Sequence, residues 1–302
     1  MHLDRPFLGV LLMLGFCALA PLADGIAKLL GPSVPLLMLL LVRFGAQAAI
    51  LVPLAWLTGR RMRLEGRVLR LAWARAAIHI AGIGLMFTSL LYLPLADAIA
   101  IVFVMPFLLL FAGHLLMGEE VGWRRLTACA AGFSGTLMVI RPSFEEVGWP
   151  ALLPLGVAVS FAAFMLVTRA IARETEPVAL QAVNGLMGVA LLGPALALGT
   201  ALDLAPAEIM VPDGREFALL ALLGALGTAG HLLMTWSLRF APASTLAPMQ
   251  YLEIPFATVF GWLLFRDLPD GLAAAGIVVT VAAGLYIVFR ERATPAPAPP
   301  AP

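Results

Sequence analysis

A single lysine, Lys28, stands in a chain of 302 residues, and charged residues of all kinds make up only 12% of it. Lys28 is flanked by Ala27 and Leu29, so no Gly-Lys-Ser/Thr phosphate loop exists and ATP does not drive this protein directly. The chain also lacks a His-Glu-x-x-His pair, a Cys-x-x-Cys pair and a Gly-x-Ser-x-Gly elbow. Their absence leaves no signature of a zinc hydrolase, a dithiol enzyme or an α/β-hydrolase, and no catalytic residue, metal ligand set or cofactor is assigned. The two cysteines, Cys17 and Cys129, fall inside apolar runs and read as buried free thiols, not as a disulfide. A net charge of +1 without a basic stripe selects no nucleic acid partner.

What the chain does have is apolar surface. Hydrophobic residues make up 62% of it, more than a soluble core of this length needs. Runs long enough to cross about 30 Å of hydrocarbon recur along the whole length. Ten spans are expected, at roughly 7–29, 35–57, 71–91, 95–117, 126–140, 149–171, 178–202, 217–238, 243–265 and 272–289. The fold class is therefore all-α integral membrane, with the lipid bilayer as the first partner. Ala18-Leu19-Ala20 resembles a signal cleavage site, but the segment before it has no net positive charge and the apolar run continues beyond it. It is kept as a helix.

The chain repeats itself. Tyr92 to Arg125 and Phe240 to Gly271 share one layout: a turn with a proline (Pro94, Pro242), then an apolar helix with a central Pro-Phe pair (Pro106-Phe107, Pro255-Phe256), then a closing acid (Glu119, Asp267). Ala128, Gly132 and Thr136, shifted by 148, land on Gly276, Thr280 and Gly284, a second ladder of small residues of the kind that lets helices approach closely in lipid. Leu8-Gly9-Val10 is echoed by Leu155-Gly156-Val157, and Val52-Pro53 by Gly193-Pro194. Two halves are expected, 7–142 and 149–290, followed by a disordered Pro/Ala tail at 293–302. Five helices per half end opposite to where they began, so the second half runs inverted relative to the first, the recurring plan of secondary transporters.

Basic residues set the orientation. With both termini in the cytoplasm, thirteen arginines fall on inner segments, whereas only Lys28, Arg141, Arg215 and Arg266 fall on outer ones. That is the positive-inside bias of an inner-membrane protein.

Polar groups inside the spans are the candidate site. Glu253 sits about 15 Å into the ninth span, where an ionised side chain costs about 2.5–3.5 kcal/mol. It must pair with a base, be protonated, or meet a substrate amine or hydroxyl, and proton coupling through such a carboxyl is a further expectation. Gln250 and Tyr251 add polarity to the same stretch. Arg43 lies about 12 Å deep in the second span, and Asp24 can neutralise it or face Lys28 one turn on. A purely structural Arg43 that holds two helices together has the same sequence signature. Its second-half counterpart is Asn184, while Arg75 and His79 share a face of the third span; His114 and His231 occur singly on apolar spans and read as satisfied core residues. Pro106 and Pro255, near the midplane, and Pro248 each free a carbonyl four residues back, which lipid does not tolerate. Their symmetric placement points to cavity lining and to hinges.

The segment Tyr92-Leu93-Pro94-Leu95-Ala96-Asp97-Ala98, with Pro106, Gly118-Glu119, Trp123-Arg124-Arg125, Gly135 and Ile140-Arg141-Pro142, resembles the EamA repeat of the drug/metabolite transporter superfamily. Leu246-Ala247-Pro248 through Tyr251-Leu252-Glu253, with Phe265-Arg266-Asp267-Leu268-Pro269-Asp270, is similar to the second repeat of bacterial members labelled S-adenosylmethionine-uptake-like. The resemblance implies ten helices in two inverted five-helix EamA repeats, with alternating access around a central cavity. It implies a carrier, not an enzyme, for a small polar or zwitterionic metabolite such as an amino acid or S-adenosylmethionine-like compound. The rival is an integral membrane enzyme acting on a lipid or lipid-linked substrate. That chemistry needs several ionisable groups converging at headgroup level, and here they are spread over both leaflets.

Overall fold

The structure is a computed structural model that describes residues 6–105, 107–108, 123–171, 174–240 and 250–293. Ten α-helices lie among the described residues: α1 (Pro6–Leu30), α2 (Leu36–Leu57), α3 (Gly66–Ser89), α4 (Leu95–Val102), α5 (Trp123–Val147), α6 (Leu153–Ile171), α7 (Pro177–Ala201), α8 (Gly214–Phe240), α9 (Glu253–Phe265) and α10 (Gly271–Ala293). No strand occurs among them. Among the described residues, six apolar segments are long enough to cross a membrane: Phe7–Leu30, Leu36–Leu57, Gly66–Ser89, Trp149–Thr168, Pro177–Ala201 and Gly214–Ser237. Glu253–Phe265 and Gly271–Ala283 are apolar but shorter. Pro106, Pro248, His114, Glu119 and the Pro/Ala tail lie outside the described residues, as does the side chain of Cys129.

Local chemistry sets the helix starts. Pro35 and Pro94 precede α2 and α4 in extended backbone, and α7 opens with Pro177 while the Glu176 carboxylate accepts from the Ala179 N–H at 2.9 Å. At α8, Asp213 and Glu216 exchange backbone-to-side-chain hydrogen bonds of 3.0 and 2.7 Å, a capping box. Two helices differ from the expected spans. α5 continues through Pro142 to Val147, its last turns held by the Arg141–Glu145 ion pair and a Ser143 hydroxyl bond to the Val139 carbonyl. It stops at Gly148, whose positive φ of 74° turns the chain towards α6. α9 starts at Glu253, after a turn at Tyr251 and Leu252, so Pro255 falls in a first helical turn, where its missing N–H is least costly.

Helices pack mainly across the two halves. α1 lies on α8, α2 on α7, α3 on α6 and α5 on α10, and α4 meets both α6 and α9. The α5–α10 seam is made by the small residues of the ladder. A Cβ on Gly135 would sit 2.8 Å from the Gly276 carbonyl oxygen and the Thr280 nitrogen, and Thr280 donates its hydroxyl to the Gly132 carbonyl at 3.4 Å. The α2–α7 seam works likewise, with Gly185 against the Ala48 backbone and Gly188 against the Phe44 ring. The bundle's outer faces carry exposed Leu198, Val259, Leu263 and Val278, the surface that acyl chains cover.

Candidate functional site

Among the described residues, the cross-half packing leaves a cavity of volume ≈ 120 Å³. α1 presents Asp24 to it, α2 presents Arg43, α8 presents His231, and Gln250 and Glu253 enter at the start of α9. A carboxyl, a guanidinium, an imidazole, an amide and a second carboxyl thus share one chamber whose remaining wall is apolar. The ion pairs formed among the described residues join Lys28 to Asp267, Arg60 to Glu176, Arg63 to Glu65, Arg67 to Glu174 and Arg141 to Glu145. Asp24, Arg43 and Glu253 belong to none of them. An ionisable group inside a membrane is costly unless it is paired, neutralised or met by a ligand.

Arg43 is 3% exposed and is aimed by a hydrogen-bonded chain that spans three helices. Its Nη1 donates to Gln47 Oε1 at 3.2 Å; Gln47 Nε2 donates to the Gln181 carbonyl at 2.7 Å and to Gln181 Oε1 at 3.1 Å; Gln181 Nε2 donates to the Thr235 hydroxyl at 3.2 Å. α2, α7 and α8 are thereby locked together behind the guanidinium. The other side of Arg43 rests on Gly227 of α8, where a Cβ would stand 2.0 Å from Nε. Only glycine gives the guanidinium that seat.

Arg75 and His79 stand behind the cavity wall, not on it. Arg75 Nε donates to Thr168 Oγ1 at 2.8 Å, Nη1 donates to Asn184 Oδ1 at 2.8 Å, and the guanidinium lies 4.3 Å from the Phe164 ring centroid. Because arginine only donates, Asn184 turns its oxygen to Arg75 and its amide nitrogen to His79 Nδ1, 3.0 Å away. His79 Nδ1 therefore accepts, and the neutral ring carries its proton on Nε2, which has no hydrogen-bond partner among the described residues. The ring packs against Phe44, Phe164 and His231 at centroid distances of 5.1, 4.6 and 4.8 Å.

Of the residues singled out from sequence, Asp24, Arg43, Gln250 and Glu253 meet at the cavity, and Arg75 and His79 form the layer behind it. Tyr251 is buried behind Phe103, with ring centroids 5.1 Å apart. Pro255 stands on the exposed side of α9 and does not line the cavity. Helical residues two positions apart differ by about 200° around the axis, so an inward Glu253 sends Pro255 outward. Lys28 does not pair with Asp24. It donates to the Leu93 carbonyl at 2.7 Å, lies 3.5 Å from Asp267 and sits over the Phe265 ring. His231, read from sequence as a core residue, is on the cavity wall, and its Nδ1 has no hydrogen-bond partner among the described residues. Asn184 serves Arg75 and not Arg43's role in the second half. No sequence signal marks either, because both depend on which helix lies beside them.

Comparison with known proteins agrees with this architecture. A sequence model described as the EamA-like transporter family matches residues 7–141 and 148–290. The chain is 31% identical over 225 residues to a protein named riboflavin transporter from Rhizobium johnstonii, covering 72% of this chain and 69% of that one. It is 23% identical over 276 residues to an S-adenosylmethionine uptake transporter from Rickettsia felis, covering 89% and 88%. A pseudopaline exporter from Pseudomonas aeruginosa is 27% identical over 199 residues, covering 65% and 67%. One solved crystal structure superposes with a TM-score of 0.65 over 97% of this chain and 100% of the other at 18% identity, a likeness of fold alone.

Proposed function

This chain belongs to the EamA-like transporter family, and on that premise we propose that it is a secondary active carrier, moving a small polar or zwitterionic metabolite across the bacterial inner membrane by alternating access. The observation that carries the reading is the central cavity, where Asp24, Arg43 and Glu253 face one space without forming an ion pair. Carboxyls on α1 and α9 suit an ammonium or N–H donor, and the guanidinium on α2 suits a carboxylate or carbonyl. A soluble-type core packs such groups against partners. In this reading a substrate with groups of both signs supplies the partners.

Ten spans in two inverted repeats, 7–142 and 149–290, fit the packing. Exchanging the halves, so that α1 becomes α6 and α3 becomes α8, turns the α1–α8 pair into α6–α3 and returns α2–α7, α4–α9 and α5–α10 to themselves, all pairs that occur. Thr280 and Gly132, which touch across the α5–α10 seam, are themselves separated by the 148 positions of the sequence repeat. The distribution of arginines supports a cytoplasmic position for both termini. Pro106 and Pro248, with Pro255, act as hinges in this scheme, and Glu253 carries a coupling proton.

Each end of the bundle is tied by ion pairs that cross the halves. Lys28–Asp267 joins α1 to the end of α9, while Arg60–Glu176 and Arg67–Glu174 tie the α2–α3 link to the α6–α7 link at the opposite end. Opening either end breaks one set. Asp267→Asn is therefore expected to favour the state open at the Lys28 end. Both side chains are partly exposed, so the shift is modest, about two- to fivefold in population for a pair of about 0.5–1 kcal/mol. Double electron–electron resonance between spin labels placed on α1 and α9 would read it, and an unchanged distance distribution would remove the pair from the gate. Gly227→Ala is expected to lower transport about tenfold or more by unseating Arg43, the loss of one charge-assisted contact, while the melting temperature in detergent stays within about 3 °C.

The direct functional test is counterflow in proteoliposomes with labelled amino acids, S-adenosylmethionine and vitamins. The carrier reading requires at least one solute to exchange unaltered. A protein that chemically changes a lipid-linked substrate and exchanges none would be the enzyme instead.

A further inference from the structure

The wall of the cavity is not simply apolar. Of its twenty-four lining residues, four are phenylalanine and four are methionine, a third of the total, whereas these two types supply 30 of 302 residues in the whole chain. Leucine, the commonest residue in the sequence, contributes only Leu223 and Leu226. A wall that needed only to be greasy would be built of leucine. Phenyl faces and thioethers are the groups that attract a π-system, by offset or edge-to-face stacking and by sulfur–aromatic contact.

Two of the phenyl plates are fixed from behind. Phe161 rests on Phe164, 5.9 Å between centroids, and Phe164 in turn is held by the Arg75 guanidinium and the His79 ring. Phe103 is held by Tyr251. Phe103 follows the last turn of α4 and Phe161 lies on α6, so the two rings bring both halves to the cavity wall, and their positions are set before a ligand arrives. The polar groups fit the edge of such a group. His231, 8% exposed on the cavity wall, has an Nδ1 with no hydrogen-bond partner among the described residues, an unmet need that a ligand edge satisfies. Glu253 and Gln250 accept from ring N–H or exocyclic amine groups, and Arg43 donates to a ring carbonyl or nitrogen.

We propose that the part of the substrate held in this cavity is a planar nitrogen heteroaromatic ring, seated against the Phe and Met wall with its hydrogen-bonding edge towards Glu253, Gln250, His231 and Arg43. The volume of ≈ 120 Å³ is on the scale of the roughly 150 Å³ apolar cavity that takes up benzene, the size of a single ring. A fused system needs the chamber to widen, which unbranched, flexible methionines such as Met86 and Met165 allow without unfolding a helix. This inference rests on the carrier reading for its site but not for its chemistry.

The test is equilibrium binding to the full-length protein in nanodiscs, read by fluorescence of riboflavin and of lumichrome, its ring system without the sugar-alcohol chain. Adenosine, alanine, glutamate and lysine are then tried as competitors. The ring compounds are expected to bind or compete and the aliphatic amino acids to fail at large excess. Phe161→Leu and Met165→Leu, each keeping an apolar side chain of similar bulk, should each weaken ring binding by about three- to tenfold, the worth of one aromatic or sulfur–aromatic contact, without moving the melting temperature. Displacement of the probe by an aliphatic amino acid, absence of binding by every ring compound, or unaltered affinity in both variants would each overturn the proposal. Ring compounds that bind but are never moved in proteoliposomes would sink the carrier reading and leave the ring site standing. An aliphatic amino acid that is moved while ring compounds are ignored would do the reverse.

Discussion

Glu253→Gln is expected to reach the membrane at the wild-type level, melt within about 3 °C of it, and carry substrate about a hundredfold more slowly or not at all. The side chain makes no ion pair among the described residues, so its replacement breaks none there. It occupies the first turn of α9, where a negative charge gains only about 0.3–1 kcal/mol from the helix dipole, and the amide keeps the shape and the acceptor oxygen. What the amide cannot do is hold a charge or exchange a proton. A carboxylate that grips an ammonium or N–H edge in a dry chamber is worth about 1.5–3 kcal/mol, which is a factor of ten to more than a hundred in affinity. If Glu253 also carries the coupling proton, a pH gradient will no longer drive accumulation in the variant. Counterflow at equal internal and external pH separates the two roles, because exchange without a gradient needs binding but no net proton movement. Wild-type rates in both assays would take Glu253 out of the site.

Gly135→Leu is expected to leave no folded protein to purify, and Gly135→Ala to lower stability by about 1–3 kcal/mol. The first Cβ already meets the backbone of α10, at the Gly276 carbonyl oxygen and the Thr280 nitrogen, so no side-chain rotation relieves the clash. The helices must separate. That breaks the Thr280 hydroxyl bond to Gly132 and exposes Thr136, both of which are fully buried at the seam. Lipid supplies no hydrophobic force to press the helices back together, so lost packing is not recovered elsewhere. Gly193→Ala is the control: nothing lies within 4 Å of its Cβ, and alanine is the better helix former. Thermal melting by size-exclusion chromatography would separate the two sites, and equal melting of Gly135→Ala and wild type would mean that the seam is loose.

These two residues also mark where the sequence is legible and where it is not. The α5–α10 seam could be read in advance because it is periodic: Gly132, Thr136, Gly276 and Thr280 repeat at four and again at 148. Asp24, Arg43, Gln250 and Glu253 could be found because ionisable and amide side chains are rare and costly in apolar spans. The aromatic and methionine wall could not. In a soluble helix the polar face tells which side is in, but here lipid and core are both apolar, so Phe161 and Val159 look alike although one lines the cavity and the other is exposed. Pairings across the halves were equally hidden. Lys28 has a neighbour four residues away in Asp24 but meets Asp267 just past the end of α9, and Asn184 meets Arg75, because helix packing and not sequence distance decides who meets whom. Pro255 turns outward and not onto the cavity wall as its symmetric placement suggests, because facing follows from the register set by Glu253.

The most direct test of a carrier built around this chamber is thiol accessibility at Ala20, on the cavity wall of α1. In a background with Cys17 and Cys129 changed to alanine, Ala20→Cys is treated with a membrane-impermeant maleimide in right-side-out and in inside-out vesicles. Alternating access requires labelling from both faces, slowed by any solute that the protein exchanges. Labelling from neither face, or from one face only during active exchange, would mean that the chamber is a sealed or one-sided void and that this chain does not carry its substrate through it.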